Sequence, residues 1–106
     1  MKLHQLSDMV RGWFIGDFHP AALQSTNCEV GIKFYSAGDR ENTHVHRIAT
    51  ELTAIITGEV LMNGQKFSPG SIITIEPGEA TDFFAITDAV TVVFKTPSVH
   101  NDKYSV

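Results

Sequence analysis

Apolar residues in this chain recur at every second position, and no stretch keeps a helical rhythm for ten residues. In residues 27–35, Cys28, Val30, Ile32 and Phe34 fall on one face, and Glu29, Gly31, Lys33 and Tyr35 on the other. A side-chain period of two belongs to a strand, whose successive Cβ atoms point to opposite faces. Similar runs rich in Ile, Val, Thr and Phe occupy 51–57, 59–62, 71–75, 80–86 and 90–95. The punctuation agrees. Asn63-Gly64 supplies the two positive-φ residues that a type I′ hairpin turn needs. Ser68-Pro69-Gly70 and Glu76-Pro77-Gly78 are further turns. Leu3, Leu6 and Val10 allow one short N-terminal helical turn, and a second turn is expected around residues 20–23. Short strands spaced roughly 8–12 residues apart predict an all-β sandwich or barrel.

Composition narrows the function classes. With 106 residues there is room for one domain, and 42% hydrophobic against 19% charged residues fits an ordered core. The formal charge is −4, and the eight Lys and Arg are scattered singly, so there is no nucleic-acid footprint and no polybasic membrane patch. No apolar run reaches transmembrane or signal-peptide length, and Cys28, the one cysteine, has no intrachain partner. The expectation is a cytoplasmic protein with Cys28 as a small buried hydrophobe.

The chemistry concentrates between Gly38 and Gly58. His44 and His46 are two apart and project from the same strand face. Glu51 opens the next strand, so antiparallel pairing can return its carboxylate to the same spot. Two imidazoles and one carboxylate make a set suited to one divalent transition metal, Fe, Mn, Ni or Zn, with positions left open for water or substrate. Two glycines, His-x-His and Glu at these spacings arise by chance in on the order of one in 10^5 chains of this length, at average usage.

Gly38-x5-His44-x-His46-x4-Glu51-x6-Gly58 resembles the first cupin motif, and Gly70 to Gly78, ending Glu76-Pro77-Gly78, resembles the second. The likeness spans roughly residues 27–95. It implies a double-stranded β-helix, a jelly-roll-like antiparallel barrel of residues 27–106, open at one end and in many relatives holding a metal. Residues 1–26 are then an N-terminal extension. Its apolar segment around Trp13 and Phe14 would pack on the barrel or on a partner subunit, and similar small cupins are commonly homodimers.

This chain departs from the pattern where the second motif would supply a third histidine: Thr81 stands there, and Ala85 replaces the usual Asn. Three arrangements follow. The metal is held by His44, His46 and Glu51 with water; Thr81 or Asp82 adds a ligand, Asp82 only if a bulge re-aims it; or the three remain a polar cluster without metal. Thr53, Ile55, Phe83 and Tyr35 are expected to line the pocket, with Phe83 also in the core. Lys33 is expected at solvent, as are His4, His19 and His100, while Arg47 gates the mouth or sits at a rim.

The function expected is a metal-binding cupin acting on or binding a small polar molecule, such as a sugar, sugar acid or dicarbonyl. Two alternatives stand beside it: a non-catalytic binding or sensor module with a degenerate metal site, and a metal-independent isomerase or epimerase using a histidine with Tyr35. No catalytic residue is singled out.

Overall fold

A computed structural model describes all 106 residues. After a 3-10 turn at Leu6–Asp8 come eleven strands: β1 (Trp13–Gly16), β2 (Leu23–Gln24), β3 (Glu29–Tyr35), β4 (Arg40–Val45), β5 (Thr50–Thr57), β6 (Val60–Met62), β7 (Gln65–Phe67), β8 (Ile72–Ile75), β9 (Thr81–Ala85), β10 (Ala89–Thr96) and β11 (Tyr104–Ser105). They form two sheets, β2-β1-β3-β10-β5-β8 and β11-β4-β9-β6-β7, antiparallel throughout except for the short β1–β2 pair. This is the all-β double-stranded β-helix. No helix is long and apolar enough to cross a membrane.

The hairpin is where the sequence places it. Asn63 and Gly64 both have positive φ, 51° and 77°, and join β6 to β7 with Met62 opposite Gln65. The turn expected at 20–23 is not helical: bends lead into β2, which pairs with β1 at the sheet edge. The N-terminal segment therefore contributes two strands to the larger sheet, β1 lying antiparallel to β3.

The interior runs from apolar to polar along the barrel. At one end Ile55, Val60, Met62, Ile75, Phe83, Ala85 and Ala89 form the buried cluster. Two residues further along each strand, the same inward faces turn polar: Thr53 follows from Ile55, Thr91 from Ala89, Thr81 from Phe83. Antiparallel register aligns these transitions, with Thr53 opposite Val93 and Glu51 opposite Lys95. The apolar end supplies the burial free energy, at about 25 cal/mol per Å², and the polar end is left to chemistry.

Alternation in β3 has its polar side inward. Lys33 and Tyr35 line the interior, whereas Phe34 is 67% exposed. The outer face continues across the sheet through Val92 on β10 and Ala54 on β5 to Ile72 on β8, which is 69% exposed. Period two separates two faces without saying which is inside. Cys28, expected buried, is half-buried.

Candidate functional site

The polar end of the barrel encloses a cavity of about 450 Å³, within the range of small-molecule sites. His44, His46, Glu51, Thr53, Tyr35, Phe83, Thr81 and Asp82 all border it. Ile55 does not. It lies one inward position deeper than Thr53, 1% exposed within the apolar cluster, so the expectation that it lines the pocket is corrected.

His46 is the most constrained side chain. It follows directly on β4, and its backbone oxygen accepts the Gly78 N–H at 2.7 Å, so the second turn motif clamps the first. Its Nδ1 lies 2.9 Å from the backbone oxygen of Asp102. A carbonyl only accepts, so Nδ1 must carry the proton. On the other side of the ring, Nε2 lies 3.5 Å from Glu51 Oε1. A lone pair on Nε2 would face a carboxylate oxygen, so this contact needs either a second proton on the ring or a cation shared by both groups. Burial alone would raise the Glu51 pKa. The hydrogen bond and charge of His46, aided by Lys95 and His44, outweigh it and hold the carboxyl below its usual range.

His44 stands beside His46 with ring centroids 5.2 Å apart, and its Nδ1 contacts the Asn42 oxygen at 3.1 Å. The same tautomer argument leaves His44 Nε2 as a free donor nitrogen. Directly across the strand pair from His44 is Thr81, where a further histidine would complete the cupin set. Asp82 is not re-aimed toward the histidines: its Oδ1 accepts the Asn63 N–H at 2.7 Å, tying it to the hairpin. In donor type and tautomer, His44, His46 and Glu51 fit a divalent cation. As they stand, no three His, Cys, Asp or Glu side chains close on one point.

A β-bulge sits in β4 rather than β9. Glu41 opposes Phe83 and His44 opposes Thr81, so three steps on β4 match two on β9. The extra residue lets Glu41 and His44, of opposite parity, both reach the cavity. Tyr35 donates to Glu41 Oε2 at 2.7 Å and stacks tilted on Phe83 at 4.4 Å. Burial and the adjacent Glu41 carboxylate push the Tyr35 phenol far above its ordinary value, so at neutral pH it stays uncharged.

Lys33, expected at solvent, borders the cavity, as do Arg11, Lys95 and Lys103, which the sequence did not single out, and Trp13, expected only to pack on the barrel or on a partner subunit. Lys95 shares the inward parity of Thr91 and Val93, which was a usable signal. Arg11 and Lys103 reach the cavity only through tertiary placement. Arg47 stays outside, its guanidinium 4.0 Å from the centre of the Tyr104 ring. His4, His19 and His100 are exposed.

No family model and no curated protein sequence matches the chain. Solved structures do. A DMSP lyase, DddQ from Ruegeria pomeroyi DSS-3, superposes with TM-score 0.73 at 18% identity over 89% of this chain and 49% of that one. An uncharacterized protein with a double-stranded β-helix domain from Klebsiella pneumoniae gives TM-score 0.69 at 18% identity, over 92% and 85%. An RmlC-like cupin from Shewanella frigidimarina gives 0.65 at 16% identity, over 73% and 71%. At such identities the likeness establishes architecture, and with the strand order and the two turn motifs it shows that this chain carries the double-stranded β-helix fold of the cupins.

Proposed function

We propose that this protein is a metal-binding small cupin that binds or transforms a small polar molecule in the barrel cavity. The observation that carries this reading is His46, with Nδ1 committed to the Asp102 carbonyl and Nε2 turned to the Glu51 carboxylate 3.5 Å away. Without a second proton on the ring, these are two electron-pair donors aimed at each other inside a cavity, an arrangement that suits a shared cation. His44, His46 and Glu51 would hold a divalent Fe, Mn, Ni or Zn, which when bound would supply Lewis acidity to a substrate oxygen. The chain's own groups do the rest. Glu41 accepts the Tyr35 O–H and so fixes the phenol with its oxygen free to accept from a ligand, and the Met62, Phe83 and Val93 side chains give the cavity an apolar floor.

Untagged protein purified without chelator should retain near-stoichiometric metal by plasma mass spectrometry, and a His44→Ala/His46→Ala variant should retain none. No metal in the native chain after reconstitution with each ion would overturn the reading. Thr81 opposite His44, and the lack of a closed three-donor set, favour a second reading: a non-catalytic binding module. That version gives a ligand-induced melting shift with no turnover. A metal-independent isomerase would pair His44 or His46 with Tyr35, and would stay active after chelation.

We also propose a second copy of this chain as the cover for the apolar outer sheet face. From Phe34 to Ile72 that face carries no charge, so two copies can pair on it symmetrically without desolvating an ion. Sedimentation velocity should show a dimer at micromolar concentration, and Ile72→Lys should shift it to monomer. A monomeric wild type would refute the pairing.

A further inference from the structure

Half of the cations of this acidic chain border one cavity: Arg11, Lys33, Lys95 and Lys103 are four of its eight Lys and Arg. The carboxylates around the same cavity are already engaged. Glu41 accepts from Tyr35, Glu51 faces His46, and Asp82 is held by Asn63. Of the four cations only Lys95 has an ion-pair partner, Glu29 at 3.6 Å, and the Glu29 carboxylate also accepts from Ser98. Lys33 donates to the Arg11 backbone oxygen at 2.8 Å, which positions its ammonium and neutralises nothing.

Two of these ammonium groups meet on one aromatic ring. Lys33 Nζ lies 5.1 Å and Lys95 Nζ 4.8 Å from the centre of the Trp13 ring. The ring itself rests on Gly31, where an added Cβ would come within 2.7 Å of it. Strand β1 thus places a flat apolar surface beside both Lys33 on β3 and Lys95 on β10. Bringing two cations together at a partly buried site is unfavourable unless an anion shares the space. Lys33 shows the strain: burial lowers its pKa, and the charges of Arg11, Lys95 and Lys103 lower it further against the pull of Glu41. Lys95 is also the register partner of Glu51, so this cationic ledge adjoins the His46–Glu51 pair.

We propose that Trp13, Lys33 and Lys95 form an anion subsite, and that the molecule taken by the cavity is a small organic carboxylate. Its carboxylate lies at the two ammonium groups against Trp13, and its polar far end reaches Glu51 and His46. This rests on the cavity being the binding site, and it deepens the proposed function by naming the ligand's charge. The ammonium pair selects for charge, while the apolar floor and the confined volume limit size.

Trp13 is the only tryptophan, so its emission reports on the subsite directly. The native chain would be titrated with acetate, malonate and gluconate at constant ionic strength, beside acetamide, malonamide and glucitol as uncharged counterparts. A saturable change is expected with at least one carboxylate and with no uncharged compound. Lys33→Gln and Lys95→Gln should each weaken it about tenfold, as loss of one close charge partner does. The two substitutions lie on different strands, so a folding defect in one leaves the other as the test. The inference is overturned by no saturable response to any carboxylate up to about 50 mM, well beyond millimolar affinity. It is equally overturned by equal responses to the uncharged compounds, or by unchanged affinity in both variants. Repeating the titration with chelator separates the two readings. Carboxylate binding without metal retention refutes the metal site alone, and metal retention without carboxylate binding refutes the anion subsite alone.

Discussion

Asp102→Ala is expected to be among the most damaging single substitutions in this protein, although the residue lies in the C-terminal tail. Its carboxylate accepts the backbone N–H groups of Arg47 at 3.0 Å, Ile48 at 3.2 Å and Ala49 at 2.9 Å, while its own carbonyl takes the proton of His46 Nδ1. One tail residue therefore closes the connection between β4 and β5 and sets the His46 ring. Alanine leaves three donors unmet in a connection where Ala49 is buried, at a cost of about 3 kcal/mol, because hydrogen bonds to charged groups are the stronger kind. For a chain of this size that lowers Tm by roughly 10–20 °C. Asp102→Asn, which keeps an acceptor oxygen, should recover part of the loss.

A merely structural role would stop there. Alanine keeps the main-chain carbonyl that His46 Nδ1 meets, so a positioning role, in which the carboxylate holds that carbonyl in place, predicts in addition that the unlatched tail shifts and nitrogen NMR of His46 loses its fixed Nδ1–H tautomer in the alanine variant but keeps it in the asparagine variant. A melting point within about 2 °C of wild type, or an unchanged tautomer, would refute the latch. The same group predicts acid sensitivity. Burial pushes the Asp102 carboxyl up, but the three backbone donors and the nearby His46 outweigh it, leaving its pKa below the ordinary 3.8. A depressed carboxylate stabilises the fold fully above its ordinary pKa. That contribution is lost as pH falls through the depressed value, and Asp102→Asn should flatten the loss.

The second large effect separates two glycines of one motif. Gly58→Ala should cost at least about 3 kcal/mol in urea unfolding, and Gly38→Ala only about 1 kcal/mol. Both have positive φ, 86° and 92°, so both variants carry the left-handed penalty. At Gly38 an added Cβ meets nothing within 4 Å. At Gly58 it would lie 2.1 Å from the Asp88 oxygen and 2.7 Å from the Ala89 Cα, both backbone atoms that cannot rotate away. Gly58 follows β5 and lies against the start of β10, so relieving the clash means parting two strands paired over seven positions. Equal costs at the two positions would show that backbone approach at Gly58 is not what demands glycine.

These cases show how unevenly the sequence disclosed the molecule. The strands at the centre of the fold were legible because each is a short alternating run bounded by a turn signal, and Asn63-Gly64 carried its own geometry. β2 and β11 were not, since two residues hold too little alternation to register. His44, His46 and Glu51 were legible as a group by their spacing, and the structure draws them into one cavity.

The rest of the cavity was decided in three dimensions. Alternation divided β3 into two faces, but only packing against the second sheet turned Lys33 and Tyr35 inward and left Phe34 and Ile72 outside. Glu41 has the wrong parity to join His44 on a regular strand, and one inserted residue in β4 brings them to the same side. Trp13 meets Lys33 and Lys95 across three strands, and Asp102 meets His46 over 56 positions of chain. The sequence by itself determined which residues alternate, where the chain turns and which side chains carry chemistry, because those properties are local. Which face is interior, where the register slips and which distant groups complete the site depended on sheet pairing, a long-range property that no run of neighbouring residues encodes.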